Sequence, residues 1–134
     1  MIGKTTNEVL DAILETVPVE FSVLDANDKV LVWNKHKTRI FKRPESALGK
    51  DVHDCHPRNS LPKVEQILSE MKSGKREKAR FWIDLPIGSN KSMQKVMIEY
   101  YALRDSSSKY LGCLEVSQNV SDIQSLSGQK RLLD

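Results

Sequence analysis

The sequence predicts an α+β domain, a five-stranded antiparallel sheet with helices covering one face and an amphipathic helix at the N-terminus. Three observations carry this prediction. Apolar residues recur at helical spacing over residues 7–17, two short apolar stretches then flank a turn, and three longer alternating stretches close the chain after a second helical run. Two groups of strands divided by helices fit one antiparallel sheet with a helical crossover, and such a sheet leaves a concave face where a small ligand can sit.

The elements follow in order. Asn7 can cap a helix carrying Val9, Leu10, Ile13, Leu14 and Val17 on one stripe, and Pro18 ends it. Residues 19–24 and 29–33 read as a hairpin about the turn Asp25-Ala-Asn-Asp28. Residues 34–42 are basic and read as helical, residues 44–48 as a short turn of helix, and Gly49 interrupts it. Residues 53–60, with Pro57, read as a loop. Residues 61–72 then form a helix with Leu61, Val64, Ile67, Leu68 and Met71 on one side, closed by Gly74. Strands at 79–85, 95–104 and 110–118 are joined by Gly88-Ser-Asn90 and Asp105-Ser-Ser-Ser108, both good hairpin connections.

Composition bounds the function. The chain has 134 residues, enough for one core and too few for two. No apolar run approaches the roughly 20 residues that cross a bilayer, and residues 1–8 lack a signal-peptide stretch, so a cytoplasmic setting is expected. Reduced thiols are then expected at Cys55 and Cys113. The net charge of +3 is mild, and the basic clusters at 35–43 and 72–80 lack interleaved aromatics, which argues against a nucleic-acid partner.

Several phrases resemble the PAS domain family over about residues 10–124: Val23-Leu-Asp25 through Asp28-Lys-Val30 to Asn34, Leu48-Gly-Lys50, Tyr110-Leu-Gly112 and Val120-Ser-Asp-Ile123. Cys55-His-Pro57, Lys72-Ser-Gly-Lys75 and Phe81-Trp-Ile83 are similar to a subgroup attached to hemerythrin-like domains. The resemblance implies a sensor domain at 19–124, preceded by the helix at 1–18 and followed by a tail at 125–134. It also implies a homodimer built on the N-terminal helix and a signalling protein partner that reads the ligand state.

His53, Cys55 and His56 place three potential metal or haem-iron ligands within four residues. In an extended loop His56 points away from the other two, and a structural zinc site wants a fourth ligand, so zinc is poorly supported. Haem needs one or two axial ligands and an apolar pocket, for which the strands and the helix at 61–72 offer Val64, Ile67, Leu68, Phe81, Ile83, Met97 and Tyr101. Haem-binding relatives carry the axial histidine near the helix before the third strand, where His53 and His56 stand by position. The competing reading makes Cys55 a small core residue and His56-Pro57 a turn into the helix. Glu99 and Glu115 belong to the solvent face unless a donor pairs them in the pocket. No phosphate loop, dinucleotide fingerprint or HExxH helix is present, so a binding role is expected rather than an enzyme. The main alternative is a ligand-free interaction module.

Overall fold

The computed structural model describes residues 1–35 and 39–133. The chain begins with α1 (Asn7–Thr16), then β1 (Glu20–Asp25) and β2 (Val30–Trp33). Two single 3-10 turns at Glu45–Ala47 and Val52–Asp54 lead into α2 (Leu61–Lys72). After it come β3 (Lys78–Ile87), β4 (Ser92–Arg104), β5 (Tyr110–Asn119) and the short α3 (Ser121–Gln124). The five strands form one antiparallel sheet in the order β2-β1-β5-β4-β3.

Alternation divides the sheet. The register pairs Phe81 with Ile98, Ile98 with Ser117, Tyr100 with Glu115 and Ala102 with Cys113. These side chains share the inner face with Leu24 and Val30, so Met97, Glu99 and Tyr101 on β4 point outward. Helix α2 lays Val64, Leu68 and Met71, spaced at i, i+4 and i+7, onto this inner face, and all three are buried. Met71, Val52 and Cys113 are fully enclosed there with Leu24 and Val30 in one apolar cluster. The end of α2 is held by Gly74 at φ +80°, and the Arg104 guanidinium donates to the Met71 carbonyl at 2.5 Å.

The edge of β2 does not stay free. Val30 N–H donates to the Lys50 carbonyl, Gly49 N–H to the Val30 carbonyl and Val52 N–H to the Asp28 carbonyl. This ties residues 49–52 to the sheet and sets the following turn beside the inner face. The central strands approach most closely at Gly112, whose φ of +153° and position leave no room for a side chain: a Cβ would lie 2.0 Å from the Leu24 carbonyl oxygen.

Two local expectations need correction. Asn7 is the first helical residue, and Thr6 is the cap, its Oγ1 accepting from Val9 N–H at 3.2 Å. Of the helix expected at 34–42, Asn34, Lys35 and residues 39–42 are not helical, and residues 36–38 lie outside the described residues. The reason is side-chain competition: Glu20 accepts hydrogen bonds from the Ile40 and Phe41 N–H groups, which holds that segment as an irregular strap across the sheet.

Candidate functional site

A cavity of about 630 Å³ lies between the inner sheet face and the segment from Ile40 to Val64. Its volume falls within the range of small-ligand sites. The sheet side is apolar, with Phe81, Ile83, Leu85 and Ile98, and Phe81 meets Tyr100 edge to face with ring centroids 5.6 Å apart. The opposite wall is Ile40, Phe41, Pro57 and Val64. Polar side chains enter at Lys42, Arg43, Cys55, His56, Ser60, Tyr100 and Glu115.

The histidine is oriented from behind. His56 Nδ1 lies 3.1 Å from the Val52 carbonyl oxygen, which can only accept, so Nδ1 carries the proton. In the neutral ring this leaves the lone pair on Nε2, 3.5 Å from the Tyr100 hydroxyl. Burial pushes the Tyr100 phenol well above its ordinary value, keeping it a proton donor. Glu115 is largely enclosed, its side chain 15% exposed, with the Arg43 guanidinium 3.6 Å away. Burial raises its carboxyl above the usual range, while Arg43, His56 and Arg39 oppose that rise.

Beside the cavity a polar network fills the sheet end that α2 does not cover. Arg43 Nε donates to Ser22 Oγ at 3.1 Å, and Arg39 donates to the same oxygen at 3.0 Å. Arg39 also donates to the Asn34 carbonyl at 2.8 Å. Asn34, 1% exposed, donates in turn to the Leu14 carbonyl of α1 at 3.1 Å and to the Val19 carbonyl at 2.9 Å. A continuous polar chain therefore links the cavity floor to the last turn of α1.

The residues singled out in the sequence separate into three groups. Cys55, His56, Val64, Phe81 and Ile83 line the cavity. Leu68 is buried in the apolar cluster and Ile67 packs against it. Met97 and Tyr101 lie on the outer face because β4 places its even-numbered residues inward; there Tyr101 donates to Glu99 at 2.7 Å. His53 also turns away. Its Nδ1 contacts Asp51 and its Nε2 meets Glu65 of α2 at 2.6 Å, two carboxylates on opposite sides of one ring. They raise the His53 pKa, Asp51 most, and hydrogen bonds from His53 hold Asp51 down at about 2.

Among the described residues no three His, Cys, Asp or Glu side chains converge on a metal position. For haem the donor set fits in part: His56 presents Nε2 with its other nitrogen on a carbonyl, as ligating histidines do, and Cys55 also reaches the cavity. Sequence reasoning missed the strap residues Ile40 to Arg43, because a helix was expected there. It named Glu115 but left its face open, and only the register decides that.

The PAS domain profile matches residues 10–121. The chain belongs to the PAS domain family. A C-terminal domain from Streptococcus mutans superposes with a TM-score of 0.82 at 27% identity, covering 95% of this chain and 94% of that one. The PAS domain of a Colwellia psychrerythraea protein gives 0.62 at 14% identity, over 86% and 97%. VqmA bound to DPO gives 0.63 at 16% identity, over 88% of this chain and 59% of VqmA, a protein of Vibrio cholerae. The last two likenesses concern the fold alone. No curated protein matches the chain. Among the described residues no helix of this PAS domain is long and apolar enough to cross a membrane.

Proposed function

We propose that this PAS domain is a sensor that takes a small organic ligand into the cavity over its inner sheet face and passes occupancy to α1. The observation that carries this reading is the cavity itself: about 630 Å³, apolar on both walls, with Arg43, His56, Tyr100 and Glu115 gathered at one end. A core filled by its own side chains, as the ligand-free interaction module requires, would leave no such space. VqmA, of the same fold, is a ligand-bound instance.

Relay to a second copy draws support from α1. None of its residues is buried, and Val9, Ile13 and Leu14 are 46 to 49% exposed on one stripe. A homodimer, or a signalling partner, would cover that stripe. Removing residues 1–17 is expected to convert a dimer to a monomer in sedimentation; an unchanged dimer counts against this role of α1. The phrases around Cys55 and Lys72 keep a link to hemerythrin-attached PAS domains within this reading, as one source of such a partner.

The cavity is tested by filling it. Ligands found by thermal shift on the native chain are expected to lose their effect in Ile83→Trp, because a ligand at a hundred times its Kd adds about 2.7 kcal/mol only while it can bind. An equal shift in both proteins would place binding elsewhere. Haem is the second reading, favoured by the His56 orientation. It predicts a sharp Soret band with hemin that His56→Ala removes and His53→Ala retains; free-hemin absorption throughout would dismiss it.

A further inference from the structure

The polar end of the cavity is rich in acceptors that lack donors. Glu115 receives no hydrogen bond within range from any described residue, and its nearest cation, Arg43, stands at 3.6 Å and already donates to Ser22. His56 Nδ1 faces the Val52 carbonyl, so in the neutral ring Nε2 accepts, and the Tyr100 hydroxyl reaches it at the outer limit of a hydrogen bond, 3.5 Å. Glu115, its side chain 15% exposed, and His56 Nε2 are therefore acceptors left to water or to a ligand that brings its own donors.

Charge restricts what can meet them. An anion would face the Glu115 carboxylate and the Nε2 lone pair. A cation would face Arg43, with Arg39 behind it sharing Ser22. The two arginines are matched by Glu115 and by Glu20, whose oxygens hold the Ile40 and Phe41 N–H groups, so the remaining charge on the cavity lining is that of Lys42 on the strap. The body of the ligand lies between Phe81 and Ile83 on one side and Ile40 and Val64 on the other.

We propose that the ligand is an uncharged ring compound presenting hydrogen-bond donors, N–H or O–H, on one edge to Glu115 and His56. This rests on the reading of the cavity as a ligand site. Donors on that edge satisfy both acceptors, and the apolar rings take the place of water between the walls.

The test is a titration of the full chain, followed by the amide resonances of His56, Tyr100 and Glu115, with four probes of similar shape. These are indole, with one donor, 5-hydroxyindole, with two, benzofuran, with none, and indole-2-carboxylate, an anion. A hydrogen bond to a charged acceptor contributes about 1.5–3 kcal/mol, so indole is expected to bind at least about tenfold more tightly than benzofuran. 5-Hydroxyindole should bind at least as tightly as indole. In Glu115→Gln the advantage of indole should shrink while benzofuran binds as before. Benzofuran binding as well as indole would overturn the donor class and leave the cavity reading intact, and preference for indole-2-carboxylate would replace it with an anion receptor. No response at these three positions to any probe would overturn the cavity reading and this class with it. If Glu115→Gln fails to fold, the probe series on the native chain decides alone.

Discussion

The two halves of the inner sheet face are built on opposite principles. Under α2 the face is dry: Leu24, Val30, Val52, Leu68, Met71 and Cys113 are each at most 6% exposed and belong to one apolar cluster. Under the strap at residues 39–43 it is polar, with Glu20, Ser22, Ser117 and Glu115 on the strands and two arginines above them. The first half gains stability from area removed from water and tolerates little change in volume. The second adds little net stability, because paired charges must first be desolvated, but it holds the strap in one position and leaves space beside it. A domain of this size can thus keep one half solid and the other selective.

The largest break in this division should come where the strands press closest. Gly112→Ala places a methyl against the Leu24 carbonyl, which cannot move without separating β1 from β5. A loss of about 4 kcal/mol or outright failure to fold is expected in urea denaturation. A loss under 1 kcal/mol would mean the two strands separate easily.

A smaller effect is expected at the polar half. Arg43→Ala strands the Glu115 carboxyl and removes a donor from Ser22, at a cost of about 2 kcal/mol, below the about 3–5 typical of fully buried pairs. Its amide shifts should concentrate at residues 14, 22, 34 and 115 and leave Leu68 and Met71 unmoved. Shifts spread evenly over α2 would erase the distinction between the halves.

The smallest effect is at His53, where the sign follows from its partners. Asp51 and Glu65 raise its folded pKa above the unfolded value, so its contribution is complete below the unfolded pKa and lost as pH rises through the folded one. His53→Gln should therefore lower the urea midpoint at pH 5.5 and have less effect at pH 9. An equal deficit at both would assign the loss to packing. Solvent screening keeps the change small at this exposed site.

Much of the architecture was legible because period and punctuation agreed. The helix at 61–72 has apolar residues at i, i+3 and i+7 and a closing glycine, and its observed bounds are Leu61–Lys72. The three long strands lie where the alternation put them, each extended by one to three residues at one or both ends. The strap was not legible, since its conformation is imposed from outside by Glu20, about twenty residues earlier. The inward face of β4 was not legible either: Met97 and Ile98, or Tyr100 and Tyr101, are equally apolar pairs, and a one-residue choice moves every side chain to the other face. Cys55 and His56 line the cavity while His53 does not, a split that depends on the 3-10 turn at Val52–Asp54 and not on residue type.

The two cysteines occupy the two halves unequally. Cys113 is 1% exposed and burial pushes its thiol up to about 12, so alkylation at neutral pH must wait for the domain to open. Cys55 is half-buried and borders the cavity. Treated with iodoacetamide, the protein should be modified at two rates, the slow one timing global unfolding and the fast one timing access to the cavity. The unmutated chain then carries its own pair of clocks, and a ligand that fills the space beside His56 should slow both, the faster by blocking access and the slower by the stability it adds to the folded domain.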